Sequence, residues 1–266
     1  MIFRKKKTEK NTHPDSNKEM PFLGHLEELR WRLLKSVIAV FVMVFVSFPF
    51  TNQLLEILTF PNQNMPNPPK LIFLHPTGML LVRFGIAIAA GIILALPVIF
   101  YQFWKFVSPG LLPHEKRYIW PIIIFSTACF LIGIVFAYFV MLPFMLPFLY
   151  SLGTEAIKPT ININDYIAFV GRIIIVSGII FELPALSYFL TKIGILRPHY
   201  LKKYRRYAVV IVFILAAILT PPDPGSQLMM AAPLLLLYEI SVWISVIVYK
   251  RKAKAAAKKN RKPSSE

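Results

Sequence analysis

The chain has 266 residues, 56% of them apolar, with a formal net charge of +17 and a mean hydropathy of +0.58. This excludes an ordinary soluble domain, because several runs reach the roughly 18–20 apolar residues with which a helix spans a bilayer. The single Cys129 excludes an intrachain disulfide, and the five histidines show no metal-ligand spacing.

Residues 1–20 are polar and basic, with RKKK at 4–7, and are expected to be a disordered tail. HLEELRWRL (25–33) follows as an amphipathic helix. Phe22, Leu26, Leu29 and Leu33 form its apolar stripe, and His25, Glu28 and Arg32 form a polar stripe beside it. Taken alone, Glu27–Arg30 and Glu28–Arg32 read as ordinary intrahelical ion pairs. The helix runs into a first span at about 33–50, retained as an anchor because no small-residue cleavage site follows. A proline-rich loop covers 51–76, and a second span lies at about 78–103 with Pro97 inside it. After a short turn, span three runs from about 119 to 142. A second Pro-containing loop reaches Asp165, and span four covers about 166–190. The basic connection 191–206 leads to a short span five, about 207–220. The turn PPDPGS (221–226) leads to span six, about 227–248, and a Lys-, Arg- and Ala-rich tail closes the chain. The expected organisation is a basic tail at 1–20, a six-span core at 21–249 and a basic tail at 250–266.

Charge orients these spans. Residues 1–32, 101–118, 191–206 and 249–266 hold 25 of the 30 Lys and Arg, whereas the opposite loops hold only Lys70 and Lys158. With six spans, both termini and both basic connections fall on one side, which the positive-inside rule makes the cytoplasm. Arg83 and Arg172 sit in spans but near their outer ends, within snorkelling reach of the interface. Span five, at about 14 residues, makes a helix near 21 Å against a hydrocarbon core near 30 Å. The basic tails fit attraction to a membrane surface better than nucleic-acid binding.

The 13 acids are the informative residues. Glu182 and Glu239 are expected near the middle of spans four and six, where an acid is a functional candidate by default. Pro184 has no N–H for the Ile180 carbonyl, so a protonated Glu182 donating to that carbonyl is the alternative. Asp223 and Gln227 flank the outer turn, and Asp223 before Pro224 is also a plain turn signal. Glu28 and Glu115 are acids on an otherwise basic face, suited to a basic peptide, because guanidinium pairs bidentately with carboxylate as lysine does not.

HLEELRWRL resembles the HLxELRxRL opening motif of the TatC family, the multispanning receptor subunit of the twin-arginine (Sec-independent) protein translocase. FVSPGLLPHEKR (106–117), FELP (181–184) and TPPDPGSQLMMAAPLLLLYE (220–239) resemble further family motifs in the family's order. Glu27 occupies the motif's variable position, and the tails are unusually basic. The resemblance implies an all-α polytopic fold of six transmembrane helices, with short fifth and sixth spans and both termini cytoplasmic. It implies a non-enzymatic protein of the bacterial-type inner membrane, with no cofactor, metal or catalytic residue. Such a protein binds twin-arginine signal peptides on folded cargo and exports that cargo with single-span TatA/TatB-type subunits, using the proton-motive force. Self-association is also expected. Signal-peptide binding is implied for Glu28 and Glu115, supported by Arg30, Phe106 and Pro109. An intramembrane polar role is implied for Glu182, and partner-subunit contact for Asp223, Gln227 and Glu239. The competing reading from the residues is a proton- or cation-coupled secondary transporter using Glu182 and Glu239.

Overall fold

The computed structural model describes residues 22–113, 115–153, 160–221 and 223–260. The expected tail at 1–20 and the last residues of the C-terminal tail lie outside these. Nine α-helices and two three-residue strands, with short 3-10 and π-helical turns between them, make up the regular structure of the described residues. They are α1 (Phe22–Ser47), α2 (Thr51–Gln63), β1 (Lys70–Ile72), α3 (Gly78–Val107), α4 (Ile119–Phe136), α5 (Leu142–Ser151), β2 (Thr160–Asn162), α6 (Ile163–Ile193), α7 (Pro198–Lys203), α8 (Arg205–Leu219) and α9 (Pro224–Asn260).

Among the described residues, five helical segments are long and apolar enough to cross a membrane: Gly24–Gln63, Gly78–Gly110, Lys116–Ser151, Ile163–Ile193 and Pro224–Lys254. α8, with 15 residues, is about 22 Å long and falls short of that measure. The expectation of a short sixth span is wrong. α9 is 37 residues long and continues through the basic stretch after 249, because Lys, Arg and Ala all favour helix.

α6 is the central element: α4, α9 and α3 pack against it, while α1 packs chiefly on α3 and α8 on α9. Where α4 meets α6, a Cβ on Gly133 would lie 2.8 Å from the Cα of Gly178, so the two backbones touch. Small residues permit that approach in a medium where helices associate by packing rather than by the hydrophobic effect. α6 and α9 are joined by buried hydroxyls: Ser187 donates to the Ser241 carbonyl at 2.7 Å, and Thr191 and Ser245 pair at 2.8 Å. Outward faces are apolar, with Phe45, Trp120, Ile124, Ile218 and Trp243 each about two-thirds exposed. Such a surface belongs in lipid.

Half of the expected proline-rich loop is helical. Pro61 lies within α2 and leaves the Ile57 carbonyl without its usual amide donor. The Tyr138 hydroxyl donates to that carbonyl at 2.8 Å, and Tyr166 donates to the neighbouring Leu58 carbonyl at 2.9 Å. Helix in the third hydrophobic segment also continues beyond the expected 142. A π-helical turn at Ala137–Met141 joins α4 to α5, which reaches Ser151 and contains Pro147. The two connecting loops at this end pair as parallel strands, Lys70 with Thr160 through Ile72 with Asn162. Asn162 then caps α6, its side-chain oxygen accepting from the Asn164 N–H at 3.2 Å.

Candidate functional site

The opposite end is the basic one, where α1 begins and α3 ends. The His25 ring stacks on Phe106, with centroids 4.3 Å apart and planes 15° apart. This fixes the first turns of α1 against α3 and places Glu28 one turn further on. Arg32 Nε donates to Glu28 Oε1 at 2.9 Å, with Nη2 on the same oxygen. Glu28 Oε2 lies 3.6 Å from His25 Nδ1 and, among the described residues, accepts no hydrogen bond although it is enclosed. A carboxylate oxygen held out of water without a donor is costly. Arg30 and Pro109 are exposed nearby in sequence, Pro109 within a single 3-10 turn (Ser108–Gly110), and Phe106 is half-buried.

Glu115 is held differently. Its Oε2 accepts from the Leu112 N–H at 3.0 Å, closing the loop that carries the buried Leu111. Leu111 anchors this loop in a small core with Trp104 and Phe189, whose rings meet edge-on at 4.3 Å. Glu115 also lines a cavity of about 370 Å3 with Tyr118, Tyr188, Lys192, Arg251 and Lys252. Lys192 Nζ lies over the Tyr118 ring at 4.7 Å. Sequence reasoning placed both acids on one face, but the structure gives them different neighbours. It also missed His25 as the aromatic partner of Phe106, and the Lys192, Arg251 and Lys252 group beside Glu115. The His25–Glu28–Arg32 stripe was visible in the spacing, whereas contacts between distant helices were not.

Glu182 is buried on α6 at 7% exposure. Its polar neighbours are Ser126 and Cys129 of α4, and Oε1 has no hydrogen-bond partner among the described residues.

The three residues expected together in the last two helices do not converge. Asp223 caps α9: Oδ1 accepts the Ser226 N–H at 2.7 Å, and Oδ2 accepts the Ser226 hydroxyl. These bonds from Ser226 hold the Asp223 carboxyl below the usual carboxylate range. Gln227 Nε2 donates to the Phe213 carbonyl of α8 at 3.1 Å, so its amide is used inside the α8–α9 hairpin. Glu239 lies 12 residues further along α9, about 18 Å away. It pairs with Arg205 at 2.7 Å, both side chains being partly exposed. Glu239 does fall near the middle of the Pro224–Lys254 segment, as expected, and the structure adds its partner Arg205. α8 is so short that its first residue, Arg205, meets α9 at this level.

Comparison with known proteins gives one answer. Residues 24–233 match the family model for TatC, the Sec-independent protein translocase protein. The Sec-independent protein translocase protein TatC of Aquifex aeolicus is 41% identical over 235 residues, spanning 88% of this chain and 98% of that protein. The one from Carboxydothermus hydrogenoformans is 41% identical over 233 residues, spanning 87% and 95%. A crystal structure of the twin arginine translocase receptor TatC superposes with a TM-score of 0.76 at 40% identity, covering 84% of this chain and 99% of that one. A second, of the same receptor in DDM, gives 0.77 at 42% identity, covering 83% and 99%. The family is a membrane-embedded, non-enzymatic component of a protein translocase. With the motifs, the helical core and the match over most of its length in agreement, this chain belongs to the TatC family.

Proposed function

We propose that this protein is the receptor subunit of a twin-arginine translocase, which takes folded cargo by a twin-arginine signal peptide at the cytoplasmic face of the inner membrane. The carrying observation is Glu28, with one oxygen held by Arg32 and the other enclosed and without a donor. An arriving guanidinium supplies the missing donors in bidentate geometry. The aromatic floor of His25 on Phe106 offers a face on which a second guanidinium can stack. Arg30 and Pro109 border this approach. Glu115 receives the adjoining part of the leader at the cavity it shares with Lys192, Arg251 and Lys252.

In this reading α8 is a sixth, short span, both termini are cytoplasmic, and residues 21–249 form the core between two basic tails. The asymmetry of 25 Lys and Arg against two supports that orientation. Glu182 serves as the intramembrane polar group, and the end of the α8–α9 hairpin carrying Asp223 and Gln227 meets single-span TatA/TatB-type subunits. Glu239 contributes there only through its pair with Arg205. Transport draws on the proton-motive force, and copies of the chain assemble together. The rival reading, a proton- or cation-coupled transporter, needs two intramembrane acids, and Glu239 is already paired with Arg205.

The test is binding of a labelled twin-arginine leader peptide to the full protein in nanodiscs. Glu28→Gln with Glu115→Gln should abolish measurable binding while the thermal unfolding midpoint stays close to that of the unsubstituted protein. Unchanged binding refutes the site.

A further inference from the structure

A second basic cavity lies apart from the residues discussed so far. Arg197, His199 and Lys202, in and beside the short α7, face Lys250 of α9 across a space of about 480 Å3. Val246 and Tyr249 of α9 form its apolar wall. Among the described residues no acid lines this space, and no ion pair or side-chain hydrogen bond engages Arg197, His199, Lys202 or Lys250. Arg205, three residues beyond Lys202, shows the contrast, because it does find a carboxylate. Three like charges gathered around one cavity, with no counter-charge among the described residues, repel one another. That arrangement is stabilised when an anion enters.

The walls say which anion. Tyr249 is 47% exposed beside the cations, the amphipathic placement of a residue at a membrane interface. Trp243 and Ile247, earlier on α9, are 66% and 51% exposed, so an apolar track leads from the cavity along the helix. A small soluble anion has no use for that track, whereas a lipid uses both the cations and the track. We propose that the cavity between α7 and the end of α9 binds the phosphate headgroup of an anionic phospholipid from the cytoplasmic leaflet, its acyl chains lying along Trp243 and Ile247. Basic pockets between helices on that side suit such headgroups, each Lys or Arg adding about fivefold to attraction. The proposal rests on the cytoplasmic placement of α7 given above.

The experiment is native mass spectrometry of the full protein in detergent, titrated separately with phosphatidylglycerol and phosphatidylcholine. The triple variant Arg197→Gln, Lys202→Gln, Lys250→Gln should lose at least about tenfold in phosphatidylglycerol retention. The equally charged control Lys105→Gln, Arg117→Gln, Arg206→Gln should lose less than about twofold if the cavity, not net charge, holds the lipid. Equal losses in the two triples overturn the proposal, as does equal retention of phosphatidylcholine by the unsubstituted protein. Displacement of the lipid by glycerol phosphate at the lipid's own concentration also overturns it and assigns the cavity to a soluble phosphate. Labelling of Lys203→Cys by an impermeant thiol reagent, scored separately from each side, detects a failure of the topology alone.

Discussion

Replacing Arg32 by Gln should raise the affinity for a twin-arginine leader, although it removes an arginine from the binding end. Arg32 occupies one oxygen of Glu28 in an i,i+4 pair whose side chains are 16% and 19% exposed. Such pairs contribute about 0.3–0.5 kcal/mol, so freeing the carboxylate should tighten peptide binding about twofold. Glu28→Gln acts in the opposite sense. A hydrogen bond to a charged group contributes about 1.5–3 kcal/mol, so its loss should weaken binding about ten- to hundredfold. The assay is fluorescence anisotropy of a labelled leader on the protein in nanodiscs, with a twin-lysine leader as the comparison. The twin-lysine peptide should respond less to either change, because ammonium cannot pair bidentately. If Arg32→Gln weakens binding as much as Glu28→Gln, Arg32 belongs to the docking surface and the reasoning is refuted.

Asp223→Ala should destabilise the protein by about 0.5–2 kcal/mol through loss of the α9 cap, measured by chemical unfolding in detergent. The Asp223 carboxyl is depressed in the folded state, so its stabilisation is present above the unfolded pKa and fades as pH falls through the folded one. The difference between Asp223→Ala and the unsubstituted protein should therefore shrink in acid, and a constant difference contradicts the cap's charge dependence. Gly133→Ala drives a Cβ into the α6 backbone at 2.8 Å, an overpacking that costs about 1–3 kcal/mol, whereas Gly85→Ala meets nothing within 4 Å. The Gly133 variant should melt lower and the Gly85 variant no lower than the unsubstituted protein; equal midpoints contradict the crossing. Gly194 ends α6 at φ 91°, with the Leu196 N–H bonded back to the Leu190 carbonyl at 3.0 Å and Lys252 donating to the Lys192 carbonyl at 3.2 Å. Gly194→Ala should cost about 1 kcal/mol in stability, and Gly194→Asn less, because Asn tolerates the left-handed region.

Much of this architecture is legible in the sequence. The spans are long apolar runs, and such a signal needs no knowledge of neighbours. The helical content of 51–63 was not legible, because Pro61 argues against helix and the carbonyl it frees is satisfied by the Tyr138 hydroxyl, 81 residues away in sequence. The parallel pairing of 70–72 with 160–162 was hidden for the same reason, since three-residue strands have no periodicity to read. At the site, Glu28 and its intrahelical partners were visible from spacing alone. The stacking of His25 on Phe106, and the cations beside Glu115, depend on helices that approach only in the fold. The pairing of Glu239 with Arg205 was hidden because a helix's own sequence does not say where a shorter neighbour ends. Asp223 carried both a turn signal and a functional one, and the geometry gives it the cap.

The most direct measurement of the central claim is photocross-linking from a reactive amino acid placed at Phe106, which lies against His25 one turn from Glu28. The account predicts adducts with a twin-arginine leader that excess unlabelled leader suppresses and that vanish when Glu28 is changed to Gln. Adducts that persist unchanged in the Glu28→Gln background, or that form equally from a probe at Phe84 toward the other end of α3, would contradict it.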